Sequence, residues 1–215
     1  PTTDVDHWHA AVRAANAQYL AGTRPAAPPG DPAPAFPILN LPKLLASPKA
    51  RKRGDVDRIL YSENSEDYVT WNFFQLLESV PASCWWQALL KLAAAAIDPE
   101  DTPDVRLWQP VAAPRAYEAL SRERMRGSDR PSWRERSLDR TPVEGASEID
   151  IVFEGRTYLA YVEAKLGSDI SFNTTYDPGR NQIARNIDCV LENCGERRPF
   201  FWMFVRDRQP TWAYV

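Results

Sequence analysis

Cysteine, histidine and net charge are all in short supply in this sequence. Three cysteines, Cys84, Cys189 and Cys194, share no repeated spacing. An odd, unpatterned set excludes a disulfide framework and a cysteine-built zinc site. Cys84 and Cys189 fall among apolar residues at helical spacing and read as small buried hydrophobes, which fits a reducing cytoplasm. The two histidines, His7 and His9, flank Trp8. At i, i+2 they point in different directions on a helix and make a poor metal clamp. A formal net charge of −3 excludes a general nucleic-acid-coating protein, because such binding is driven by Lys and Arg neutralising phosphates. No apolar run reaches membrane-spanning length, since residues 89–97 are few and interrupted by Lys91. No signal peptide is expected, and no internal repeat is visible.

What is present reads as a globular chain. Its 215 residues are 44% hydrophobic and 26% charged, enough to bury a core without disulfides or structural metals. Tryptophan is abundant, and Trp71, Trp85 and Trp86 sit inside apolar patterns that predict core positions.

Residues 4–20 carry Trp8, Ala11, Val12, Ala15 and Tyr19 at helical spacing. Residues 21–37, rich in proline and alanine, predict an extended arm. A short helix is expected over residues 39–45, then a basic turn over 49–54. Residues 62–79 predict an amphipathic helix with Ser62 or Ser65 as its cap and acids in its first turn. Val69, Phe73, Leu76 and Leu77 are its expected buried stripe. Pro81 opens a second, largely buried helix through SCWWQALLKLAAAAI, and residues 105–111 predict a strand. Residues 114–140 are arginine-rich, helical at first and broken between Gly127 and Pro131. Glu123, Asp129, Glu135 and Asp139 lie among those arginines, so the stretch reads either as local ion pairing or as a nucleic-acid-facing surface.

The periodicity then changes from 3.6 to 2. Residues 148–153 and 157–165 predict two strands joined by the tight turn Glu154-Gly155-Arg156. Alternation sets Leu159, Tyr161, Glu163 and Lys165 on one face, and Glu148, Asp150 and Val152 on one face of the other strand. The tight turn places Asp150 across from about residues 159–161. A helix is expected from Asp177-Pro178 to about Asn193, with Gly195 as its stop signal. Gln182, Arg185, Asn186 and Cys189 fall on one face of it. Residues 199–205 predict a strand covered on both faces, and residues 211–215 a last strand. Two carboxylates and a lysine near the open end of a hairpin suit phosphodiester chemistry. Hard oxygen donors favour Mg²⁺ or Mn²⁺, and a lysine nearby orients water or stabilises developing negative charge.

The pattern Asp150-x12-Glu163-x-Lys165, on a hairpin between two helices, resembles the PD-(D/E)xK nuclease superfamily, the fold of many restriction and DNA-repair nucleases. The resemblance spans about residues 60–206. It implies an α/β, restriction endonuclease-like fold with a central mixed β-sheet and a catalytic β-hairpin flanked by α-helices. It divides the chain into an N-terminal helix and Pro-rich arm, 1–45, and a nuclease-like domain, 46–215. It implies that Asp150, Glu163 and the Ala164 backbone carbonyl bind Mg²⁺ (or Mn²⁺), and that Lys165 orients the attacking water, leaving a 5′-phosphate. Many members carry an acid on a helix before the hairpin. Glu63, Glu66 and Asp67 are the candidates here, with Glu66 favoured, although the helix dipole alone also selects such an acid. Gln182 matches a glutamine that some members place after the lysine strand, and Arg185, Asn186 and Arg180 are expected at the substrate phosphate. The proline of the family name is replaced by Ile149. The implied function is a metal-dependent nuclease acting on DNA in the cytoplasm, with a homodimer as in many members. The alternatives are a nuclease-fold protein that binds or regulates without catalysis, and hairpin acids that are purely structural and do not converge.

Overall fold

The structure is a computed structural model, and it describes residues 14, 38–47, 66–139, 145–165 and 180–205. The N-terminal helix and proline arm, the basic turn at 49–54 and the strand expected at 211–215 lie outside the described residues, Ala14 apart. The chain divides into two compact units, Pro1–Pro81 and Ala82–Val215, whereas the sequence places its boundary after residue 45.

The first unit contains α1, Leu41–Ala46, and α2, Glu66–Glu78. The expected buried stripe of α2 is rotated. Trp71, Phe74, Thr70 and Gln75 are buried, while Leu76 is 52% exposed and Val69 and Phe73 also face outward. The cause is polar anchoring to the segment before α1. The Trp71 indole donates to the Leu39 carbonyl (2.6 Å), and the Asn72 side-chain oxygen accepts from the Leu39 N–H (2.7 Å). Those two bonds turn the 71/74/75 side inward, toward the segment that carries the buried Ile38, Leu41 and Leu44. Hydrophobic periodicity carries no trace of them.

The second unit begins with a 3-10 turn, Ala82–Cys84, and α3, Trp86–Leu92. It continues with β1, Asp104–Val111; α4, Arg115–Arg126; α5, Pro131–Leu138; β2, Ser147–Glu154; β3, Tyr158–Lys165; α6, Gln182–Asn193; and β4, Arg198–Val205. It is an α/β unit built on an open, mixed four-stranded sheet in the order β1-β2-β3-β4. The first three strands are antiparallel neighbours, and β4 runs parallel to β3, with α6 in the crossover. Pro110 is tolerated because β1 is, among the described residues, an edge strand. Among the described residues β4 is also an edge strand, and its apolar run is only half-buried rather than covered on both faces.

Each sheet face has its own core. On one, Trp86 stacks on Tyr158 (centroids 5.5 Å apart) and meets Phe153 and Trp202. On the other, α6 lays Cys189 and Val190 over Ile149, Val152, Leu159 and Tyr161. Ile149 and Val152 thus share a face although they differ in parity, so the strict alternation expected along β2 breaks between them. The break coincides with Asp150. The β1–β2 ladder skips the Trp108–Asp150 position, and Trp108 adopts a left-handed φ of 51°.

The second helix is shorter than the alanine tract suggests. Ala94 takes a left-handed φ of 48°. Its N–H bonds the Lys91 carbonyl and the Ala95 N–H bonds that of Leu90, a Schellman stop built without glycine. Only Trp86 and Leu90 of α3 are buried; Leu92 is 85% exposed, and Cys84 is exposed rather than buried. α6 starts at the Asn181 cap, whose side chain accepts from the Ala184 N–H, and not at Asp177-Pro178.

The hairpin turn is set from outside itself. Asp101, 6% exposed, accepts from the Arg156 N–H (2.8 Å), the Thr157 N–H (2.8 Å) and the Thr157 hydroxyl (2.6 Å). Gly155 is required there, because a Cβ would come 2.1 Å from the Tyr158 ring. Burial pushes the Asp101 carboxyl up, but the Thr157 hydroxyl and the two backbone N–H groups outweigh it and hold it below its usual value of 3.8. A lowered folded-state pKa adds stability that is complete above the unfolded value and disappears as pH falls through the folded one. Asp101→Asn is therefore expected to lose about 2 kcal/mol at pH 7, with the difference from the parent shrinking below about pH 4. Urea melts at pH 7 and pH 3 check this; a gap independent of pH would show that ionised Asp101 does not hold the turn.

Candidate functional site

The hairpin turn falls later in the chain than Glu154-Gly155-Arg156: the Gly155 N–H bonds the Tyr158 carbonyl (3.1 Å), so Arg156 and Thr157, held by Asp101, form a two-residue turn. Glu154 pairs with Leu159 and Ile151 with Val162. Carried one residue further, that register sets Asp150 opposite Glu163, not opposite residues 159–161. At this position the side chain replaces the ladder: Asp150 Oδ2 accepts from the Ala164 N–H at 3.0 Å. In an extended strand the N–H and C=O of one residue point the same way, so the Ala164 carbonyl is also directed to the β2 side.

Glu163 is the centre of the arrangement. It is 1% exposed, and an ionised carboxylate so placed is very unfavourable unless compensated. Compensation comes from three donors. Lys165 Nζ lies 2.8 Å from Oε1, Gln182 Nε2 donates to Oε1 at 2.6 Å, and Asn186 Nδ2 donates to Oε2 at 2.9 Å. Strand alternation brings Lys165 to the same face, and the i, i+4 spacing of Gln182 and Asn186 stacks both amides over the carboxylate. Two residues earlier on that face, burial pushes the Tyr161 phenol up to about 12, so it adds no charge to the site at neutral pH.

Asp150, Glu163, Lys165, Gln182 and Asn186 are therefore brought together. Asn186 was expected at the substrate; it is instead buried against Glu163. Arg185 reaches the Gly145 carbonyl (2.9 Å) and so anchors the chain entering β2. Arg180 has its guanidinium engaged by Asp188 (2.5 Å) and laid over the Tyr117 ring (3.6 Å), with its side chain 1% exposed. Glu66 belongs to the first unit, where it opens α2. Glu148 is half-buried beside Pro110. Among the described residues, no three His, Cys, Asp or Glu side chains gather into a metal-ligating group. Sequence reasoning missed Asp101, which lies in a loop with no periodicity and no motif to mark it.

Comparison of the chain with protein-family models, with curated proteins and with solved structures finds no match. Among the described residues, no helix is long and apolar enough to cross a membrane.

Because Glu163 and Lys165 neutralise each other out of water, each single change leaves an uncompensated buried group. Glu163→Gln and Lys165→Met are each expected to cost about 3 kcal/mol, and the double variant clearly less than their sum. Guanidinium unfolding of the four proteins reads this coupling; strict additivity would mean that the pair is not coupled.

Proposed function

We propose that this protein is a metal-dependent nuclease of the PD-(D/E)xK type, hydrolysing phosphodiester bonds in DNA. The observation that carries the reading is the meeting of Asp150, Glu163 and Lys165 with Gln182 at one end of the hairpin. The mixed sheet with its hairpin flanked by helices supports the finer, restriction endonuclease-like description of the fold.

The donor set fits a small hard cation. Asp150, Glu163 and the Ala164 carbonyl would hold Mg²⁺ or Mn²⁺, which would supply Lewis-acid chemistry to the phosphate and to water. Lys165 would hold the attacking water and offset developing negative charge. Gln182 and Asn186 fix the Glu163 carboxylate, and Asp150 is fixed by the Ala164 N–H, so the reacting groups need little reorganisation.

One observation favours a second reading, a nuclease-fold protein that binds without cutting. The two oxygens of Glu163 already accept from three donors, as in a closed structural network.

Cleavage of plasmid and single-stranded DNA in Mg²⁺, Mn²⁺ and EDTA separates the readings. The parent is expected to cut with either metal and to stop in EDTA. Lys165→Ala is compromised as a sole test, since it also strips a buried carboxylate of its counter-charge. Asp150→Asn is cleaner. It keeps an oxygen for the Ala164 N–H and is expected to lose at least about 100-fold in rate with little change in melting temperature. A parent that cuts neither substrate, or an Asp150→Asn variant that cuts as fast as the parent, sinks the nuclease reading.

A further inference from the structure

We propose that the α4–α5 helical hairpin is the surface that docks the phosphate backbone of the nucleic acid; this rests on the nuclease reading and extends it from the reacting groups to substrate capture. Residues 115–139 hold seven arginines, five acids and no lysine, a positive excess in a chain whose net charge is −3. Arg122 is taken up internally. It bonds Glu118 (2.5 Å), the Ser137 carbonyl (2.9 Å) and the Asp139 carbonyl, and so ties α4 to the end of α5. Arg115, Arg126, Arg130 and Arg134 are exposed, and among the described residues none of the four has an ion-pair partner. Arg130 lies over the Trp133 ring at 5.0 Å.

Spacing and place both favour this partner. Arg115 and Arg126 stand at i and i+11, with the internally engaged Arg122 between them, on one stripe running about 16 Å along α4. Val111 pairs with Ser147, so β1 ends where β2 begins. α4 therefore starts at the end of the sheet that carries Asp150, Glu163 and Lys165. The Arg180 guanidinium over Tyr117 joins the start of α4 to the residue before the α6 cap. Arginine suits the task, because its guanidinium stays charged, is weakly hydrated and presents a donor fork that matches phosphate oxygens. The exposed acids Glu123, Asp129 and Glu135 keep the excess small, so docking is modest in strength and salt-dependent.

The experiment measures binding apart from cleavage. The full chain in EDTA is titrated into short labelled DNA, single- and double-stranded, at several salt concentrations. Replacing Arg115, Arg126 and Arg134 together by Gln is expected to weaken binding about ten-fold near 0.1 M salt and to lower the slope of log affinity against log salt by about 2. Melting temperature is expected to stay the same. Unchanged affinity and slope in the triple variant, or no binding of either DNA by the parent, overturns the docking surface. If the parent cuts DNA while the triple variant binds unaltered, docking alone fails. If binding falls as expected while nothing is cut, docking stands and the nuclease reading fails.

Discussion

Three hydrogen bonds to the Asp101 carboxylate decide where Asp150 lies. They hold Arg156 and Thr157 as the two-residue turn between β2 and β3, and the position of that turn sets the pairing register. In a hairpin a one-residue slip moves every side chain to the opposite face. With this turn, Asp150 comes level with Glu163 and lends its side chain to the Ala164 N–H. With the turn at Glu154-Gly155-Arg156 it would sit across from about residues 159–161, among apolar groups. A residue near the end of the sheet remote from the carboxylates thus determines whether they meet.

Glu163 constrains the other side of the site. Its burial requires Lys165 and two amides, and the amides require that α6 start at Asn181 and run over β3. In the proposed nuclease the lysine would have two roles that are hard to separate: it offsets the charge of a buried carboxylate, and it would hold the attacking water. Sites of this kind couple stability to chemistry, because the arrangement that lowers the energy of the resting protein also preorganises the charged groups.

Much of this was legible in the sequence, for identifiable reasons. The strands β1 to β3 and the break between α4 and α5 follow from strong periodicity and from Gly127 and Pro131. Glu163, Lys165, Gln182 and Asn186 were readable as a group because alternation and i, i+4 spacing are local geometry. What was not legible depends on partners far along the chain. The register of the hairpin is set by Asp101, the rotation of α2 by the Leu39 backbone, and the end of α3 by a left-handed alanine that composition does not announce. That Asn186 is buried against Glu163 was not legible, because a buried amide serving a carboxylate and an exposed one serving a phosphate look alike in one dimension.

The order of strands also bears on how the chain reaches this state. Only β2 and β3 are joined by a short loop. β1 pairs with β2 across residues 112–146, and β4 pairs with β3 across residues 166–197. Closing such loops delays non-local pairing, so the central hairpin is the natural early structure and the edge strands follow. Gln182 and Asn186 arrive with the closure that brings β4 to β3. Until then Glu163 stays hydrated on an open sheet face, and the docking of α6 removes it from water. Pulsed amide exchange on the hairpin and on α6 would report that sequence of events directly.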